Sequence, residues 1–232
     1  MDSGLIVALD LPTAEQAEEL ASRLDGLDLC FKIGLELYSS AGPDIVRNFT
    51  DKGRDVFVDL KLHDIPATVG RATARLAELG ASLLTVHSSG GRAMMSAAVD
   101  ATHKAAGDER LRVLAVTALT SLDQDDLQSI GVDMSIDELV VHRAVLAADS
   151  GCDGVVASPH EAGILRKSLP EGFLIVTPGV RPLGHDKGDQ KRVMTPAKAK
   201  AAGADLIVVG RPIRDAEDAR AAAMSIIEDF NA

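Results

Sequence analysis

The chain of 232 residues is 46% hydrophobic with a formal net charge of -11, enough apolar material for one sizeable core at a length where α/β barrels form a single domain. The acidic balance, with no lysine or arginine cluster and no aromatic-studded basic stripe to override it, argues against nucleic acid as a partner; an anionic ligand would need local positive charge. Cys30 and Cys152 stand far apart without CxxC spacing, no charged leader precedes the strand-like LIVALDL, and no run approaches about 18 apolar residues, so the expectation is a reducing cytoplasm without disulfides, zinc knuckle, secretory signal or membrane span.

Leu5 to Leu9 is an apolar run ending at Asp10, and Thr13 followed by Gln16 has the form of a capping box opening a helix to about Leu24. Leu29 to Ile33 repeats the strand pattern with Lys32 near its end, and Pro43 after Gly42 suits the first turn of a helix to about Lys52. The third strand lies in DVFVDLKLHDIP, from Asp55, followed by a helix from Ala67 to Leu79 that Gly80 closes. Ser82 to Val86 ends at His87, and SSGG leads into a helix from about Arg92 to Ala106. Val113 to Ala118 is the fifth strand, with Thr120 and Ser121 in a polar turn before one longer helical region to Ser150.

Gly154 to Ala157 is a short sixth strand followed by a helix from Pro159 to Leu169, and Leu174 to Thr177 is the seventh. PGVRPLGHDKGDQKR then runs without helical or strand periodicity, and loops of that length inside compact domains are usually functional or disordered. Thr195 and Pro196 restart a helix that ends near Gly203. Leu206 to Val209 is the eighth strand, and Gly210, Arg211 and Pro212 turn into a helix running to the C-terminus. Strand-then-helix units repeated in this way predict a (β/α)8 TIM barrel spanning residues 1–232 as one catalytic domain. A doubly wound open sheet is the competitor, but no GxGxxG follows the first strand, which ends in an acid instead.

Within the third strand, alternation puts Phe57, Asp59 and Lys61 on one face and Val56, Val58 and Leu60 on the other. Both faces are mostly apolar, as in a buried parallel strand, yet the run ends in a carboxylate and an ammonium with His63 and Asp64 close behind. Burying such ions costs several kcal/mol each, roughly, and a structural ion pair rarely improves on an apolar substitute. A frayed strand end with an ordinary solvated pair is the bland alternative. In a barrel, however, Asp10, Lys32, Asp59, Lys61 and His87 all fall at the C-terminal ends of the first four strands, the end that carries active sites. The loops after strands seven and eight often bind phosphate, and Gly210 with Arg211 offers close approach and charge, unless GRP is only a helix-entry turn.

Other signals are weak. The histidines show no HExxH or paired metal-ligand spacing, which leaves His103, His142 and His160 as surface or packing residues and predicts no metal site. Ser88 and Ser89 adjoin His87 without a GxSxG elbow, and Met94 with Met95 reads as core filling.

Taken together and in order, DLKLHDIPATV, VHSSGG, TPGVRPLGHDKGDQKR and VVGRPI resemble the orotidine 5'-phosphate decarboxylase family, whose members make UMP in pyrimidine synthesis. The similarity spans essentially the whole chain. DxKxxD is shared with sugar-phosphate decarboxylases and synthases, whereas the GxRPxGxxxGDQ loop is more specific to the nucleotide enzyme. The resemblance implies that Lys61 is the proton donor and Asp59 the carboxylate beside the departing CO2. Asp64, with Thr68, would reach into the site of a partner subunit, making the chain a homodimer with shared sites. Asp10 and Lys32 would bind ribose hydroxyls, Thr120 or Ser121 the pyrimidine, and Arg181, Gln190, Gly210 and Arg211 the phosphate. It also implies orotidine 5'-monophosphate and UMP as ligands, and no cofactor. Two rivals stay open: a metal-dependent lyase or aldolase in which the same acids hold Mg2+ at an enediolate, and a catalytically silent phosphate-binding barrel.

Overall fold

A computed structural model of the chain describes residues 1–105, 111–182 and 194–232. Its strands are β1 (Leu5–Ala8), β2 (Cys30–Gly34), β3 (Asp55–Leu62), β4 (Leu83–His87), β5 (Arg112–Val116), β6 (Gly154–Val156), β7 (Leu174–Pro178) and β8 (Leu206–Val209). They pair in parallel in chain order and close into a barrel, with Ile6 of β1 opposite Val208 of β8. Closure follows from the side chains: with both faces of a strand apolar, both must be covered, and a closed barrel leaves no edge unpaired. One set of alternating residues, including Ile6, Cys30, Phe57, Leu114 and Val208, fills the interior. The other, including Val7, Phe31, Val56, Val58 and Ile207, packs outward against the helices. The fold is the TIM barrel expected from the strand and helix alternation.

The helices are α1 (Ala14–Arg23), α2 (Leu35–Ala41), α3 (Asp44–Thr50), α4 (Pro66–Ala77), α5 (Gly91–Ala105), α6 (Gln124–Ser129), α7 (Ile136–Asp149), α8 (Ala162–Ser168), α9 (Pro196–Ala201), α10 (Arg211–Arg214) and α11 (Ala219–Asn231). On α4, Val69, Thr73 and Leu76 face inward at helical spacing, and Gly80 with φ 79° takes the left-handed turn that lets the chain return to β4. Thr13 caps α1 by accepting the Gln16 amide, and Thr195 caps α9 in the same way through Lys198.

Three stretches divide more finely than their composition suggests. The helix expected from Pro43 begins after it, with Pro43 as the N-cap of α3, and a separate short α2 precedes it. The region before Ser150 holds two helices, each opened by its own capping box, Asp123 with Asp126 and Ser135 with Glu138. The last helix is likewise split: α10 makes one turn after Gly210, and Asp218 caps a fresh start at α11. Cys30 and Cys152 are free and buried, and burial pushes both thiols well above their usual range. Among the described residues, no helix is long and apolar enough to cross a membrane.

Candidate active site

The carboxyl end of β3 departs from a regular strand. Val58 pairs with Leu84 and Leu62 with Val86, so Asp59, Leu60 and Lys61 together stand opposite the single residue Thr85. The excess is taken up by a bulge in which Lys61 adopts φ 51°, the one positive-φ residue other than glycine among those described. Such a conformation costs about 1–2 kcal/mol for a residue with a Cβ, so its surroundings must hold it. Thr85, fully buried, does so directly: its Oγ1 accepts the Lys61 amide at 2.9 Å and donates to Asp59 Oδ1 at 2.9 Å. The simple alternation read from the sequence therefore stops at the bulge, yet Phe57, Asp59 and Lys61 all line the same cavity.

From there, charges of alternating sign run across three strands. Lys61 Nζ lies 2.9 Å from Asp59 Oδ1, Asp59 Oδ2 lies 3.6 Å from Lys32 Nζ, and Lys32 Nζ lies 2.9 Å from Asp10 Oδ1. The Lys32 side chain is 10% exposed and that of Asp59 15%, against 51% for Asp10. Burial is the largest single influence on the Asp59 carboxyl and pushes its pKa up. The Lys32 and Lys61 charges, with hydrogen bonds from Lys61 and Thr85, outweigh it and hold the group below the usual carboxylate range. Asp59 is thus an anion held in a dry place between two cations.

These residues form one wall of a cavity of about 560 Å³ at the C-terminal end of the barrel. Apolar residues of the strand ends, among them Ala8, Val116 and Val156, form its floor, and Thr120 contributes from the turn after β5. The turns after β7 and β8 contribute Gly179, Arg181, Gly210, Arg211 and Arg214. Arg181 is buried, its Nη1 donates to the Val180 carbonyl at 3.2 Å, and its amide donates to the Met194 carbonyl at 2.9 Å, joining the two ends of the long loop. Arg211 opens α10 directly after Gly210, so GRP is a helix entry and a cavity wall at once. An added Cβ at Gly210 would meet Ala8 Cβ at 3.5 Å, Asp10 Oδ2 at 3.8 Å and the Ala8 carbonyl at 3.9 Å, ordinary contacts. Arg214 donates through Nη1 to the Asp10 carbonyl at 2.9 Å while Asp215 holds its other edge. It links the turn after β8 to the turn after β1.

The structure gathers Asp10, Lys32, Asp59, Lys61, Thr120, Arg181, Gly210 and Arg211 around this cavity. Asp64, Thr68 and Ser121 do not line it. Asp64 is exposed at the rim, its Oδ1 accepting the Ile65 amide at 2.6 Å, Thr68 is half-buried on α4, and Ser121 is exposed beside Thr120. Gln190 lies outside the described residues. His87 also stays outside the cavity, stacked on His63 with ring centroids 5.5 Å apart. Its Nδ1 accepts the Ser89 amide at 3.2 Å, and burial first, then the charges of Arg143, His63 and Lys61, push its pKa down to about 4. Among the described residues no group of three or more His, Cys, Asp or Glu is arranged to hold a metal ion.

A family model described as Orotidine 5'-phosphate decarboxylase / HUMPS matches residues 3–226. The chain belongs to this family. An orotidine 5'-phosphate decarboxylase of Syntrophotalea carbinolica is 47% identical over 231 residues, covering 98% of this chain and 95% of the relative. The crystal structure of orotidine 5'-phosphate decarboxylase from Lactobacillus acidophilus superposes with a TM-score of 0.89 at 40% identity, covering 98% of this chain and 99% of that one. The enzyme of the same name from Pyrococcus horikoshii OT3 gives a TM-score of 0.78 at 27% identity, covering 98% and 99%. These relatives are carboxy-lyases by name.

Two residues of this decarboxylase-family site escaped the sequence reading. Thr85 reads as an ordinary strand former in a buried run, and nothing local marks it as the partner of a bulge 24 residues earlier. Arg214 closes a short helical turn two residues after Pro212 and gives no sign that it reaches a carbonyl 204 residues away.

Proposed function

We propose that the chain decarboxylates orotidine 5'-monophosphate to UMP and CO2, without a cofactor, with Lys61 protonating the carbanion left at C6 of the pyrimidine. The observation that carries this reading is the alternating Asp10, Lys32, Asp59, Lys61 chain lining one cavity together with Arg181, Arg211 and Arg214. Loss of CO2 from C6 leaves an electron pair in an in-plane orbital that the ring π system cannot delocalise. Stabilisation must then be electrostatic, and a fixed ammonium in a water-poor site supplies it where the charge develops. Lys61 Nζ is held 2.9 Å from Asp59 Oδ1, which fixes its direction. It delivers the proton to C6 as the carbon–carboxylate bond breaks and its electron pair stays on the ring.

Asp59, kept anionic, lies beside the substrate carboxylate, and the repulsion between them disappears with CO2. Asp10 and Lys32 bind the ribose hydroxyls, and Thr120 or Ser121, on the turn after β5, meets the pyrimidine. Gly210 and Arg211 at the start of α10, with Arg181 and Gln190, bind the phosphate. Because that group is remote from C6, its binding energy can contribute to the transition state.

The working unit in this proposal is a cytoplasmic homodimer of one-domain chains in which Asp64 and Thr68 complete the partner's site. Their exposed and half-exposed positions outside the cavity support it, as do Leu35 and Ile65, 58% and 66% exposed directly after β2 and directly before α4. Neither nucleic acid nor membrane enters the activity. A spectrophotometric assay of orotidine 5'-monophosphate decarboxylation, with and without EDTA, tests the reading. Turnover that survives the chelator and vanishes in a folded Lys61→Ala chain is expected. Near-normal activity of that variant would refute the proton-donor role, and activity lost to EDTA would favour metal-assisted chemistry. Tight UMP binding with no turnover would mark a silent phosphate-binding barrel.

A further inference from the structure

Resting on the decarboxylase reading above, we infer that Thr85 is a positioning residue of the site, its hydroxyl holding the Lys61 backbone and the Asp59 carboxylate in one fixed relation. The bulge in β3 sets three residues against one, and that one is Thr85. A strand interrupted in this way loses ladder hydrogen bonds, and the side chain opposite supplies a replacement by accepting the Lys61 amide at 2.9 Å. A threonine hydroxyl has one proton to give and lone pairs to receive. Here the proton goes to Asp59 Oδ1 at 2.9 Å, the oxygen that also faces Lys61 Nζ at 2.9 Å.

The hydroxyl, the carboxylate and both ends of Lys61 therefore form a closed circuit. Neither Asp59 nor Lys61 can move without breaking a contact. Thr85 touches no cavity space itself, since it does not line the cavity and is fully buried. Its influence must pass through Asp59 and Lys61. Lys61 needs such an anchor more than other residues do, because its positive φ is held against its own Cβ. The residues proposed for the phosphate, Arg181, Gly210 and Arg211, stand on the turns after β7 and β8, whereas Thr85 sits on β4 and bonds to β3. Loss of the hydroxyl should therefore be felt in the chemical step far more than in binding.

Thr85→Val keeps the shape and removes the hydroxyl, whereas Thr85→Ser keeps the hydroxyl and removes the methyl group. We expect Thr85→Val to lower kcat about 10- to 100-fold, the scale on which small misplacements of reacting groups act, with KM changed less than about threefold. Thr85→Ser should stay within about threefold of wild type in both. The acid limb of the kcat profile should move to higher pH in the valine variant, because Asp59 loses a hydrogen bond that favours its anion. A folded Thr85→Val chain with kcat within twofold of wild type and an unmoved pH profile would overturn the inference.

If the valine chain does not fold, Thr85→Ala and Thr85→Ser decide: a serine variant as slow as the alanine one would overturn the positioning role. Amide exchange at Lys61 tests the same anchor without substrate. Protection should fall in Thr85→Val and persist in Thr85→Ser, and unchanged protection in the valine chain would also overturn it. A wild-type chain that does not decarboxylate would instead refute the functional reading, and the exchange measurement would still judge the anchor.

Discussion

Lys32→Met keeps the length of the side chain and removes the ammonium that bridges Asp10 and Asp59. Its arm to Asp59 spans 3.6 Å to a carboxylate only 15% exposed, where a unit charge pair is worth about 5 kcal/mol at an effective dielectric of about 20. The arm to half-exposed Asp10 is screened by water and worth at most about 1 kcal/mol. Relief from burying the ammonium opposes both, and Lys61 with Thr85 stays on Asp59, so a net destabilisation of about 2–3 kcal/mol at neutral pH is expected. The sign of its pH dependence follows from Asp59. The folded-state pKa of that carboxyl is depressed, so it adds stability above its unfolded value of about 3.9, and the gain is lost as pH falls through the folded value. Removing Lys32 raises the folded value. The deficit should be full at neutral pH and fade in acid, once Asp59 is protonated and no longer needs a cation. Urea unfolding followed by circular dichroism at about pH 7 and about pH 2.5, well below the usual aspartate value of about 3.9, measures both quantities. A deficit below about 0.5 kcal/mol at neutral pH, or one equal at the two pH values, would refute this account of the charge chain.

Gly210→Ala should leave the melting temperature within about 2 °C of wild type, since its methyl group meets only ordinary contacts, yet raise KM by filling the phosphate wall; an unchanged KM would remove Gly210 from the binding site. Arg211→Ala should cost about 1.5–3 kcal/mol of binding, about 10- to 100-fold in kcat/KM, with much less effect on a substrate lacking phosphate. Equal losses on the two substrates would undo the phosphate assignment. Mixing an Asp64→Ala chain with a Lys61→Ala chain should restore part of the activity, because one of the two sites in each hybrid dimer is intact; no recovery in demonstrated heterodimers would argue against shared sites. His87 should remain neutral in the folded chain down to about pH 4. Its pKa is depressed on folding, so between about 6.5 and that value the unfolded chain takes up a proton that the folded one refuses, and stability falls as pH drops through the window. An NMR titration of the ring with its midpoint near 6.5 would contradict the burial and charge environment described.

The barrel was legible because its cause is local and periodic. Runs such as LIVAL and LIVV are apolar on both faces, and Thr13, Thr195 and Gly80 punctuate helices through contacts only a few residues long. The charged residues at the strand ends were legible too, since Asp59 and Lys61 are costly inside an apolar run unless they are used. Where helices split unexpectedly, at Asp123, Ser135 and Asp218, each cap was present in the sequence, but hydrophobic spacing continued past it and hid the break.

Which of those ions meet, and what holds them, was decided in three dimensions. His87 is the last residue of β4, whereas Lys32 lies in the middle of β2 and Asp10 two residues beyond β1, and His87 stacks on His63 outside the cavity that the other two line. The left-handed Lys61, the Thr85 hydroxyl beneath it and the reach of Arg214 to the Asp10 carbonyl join residues 24 and 204 positions apart. Spacing along a chain reports backbone period and burial, whereas such contacts exist only once eight strands have closed and their staggered ends have set one turn against another.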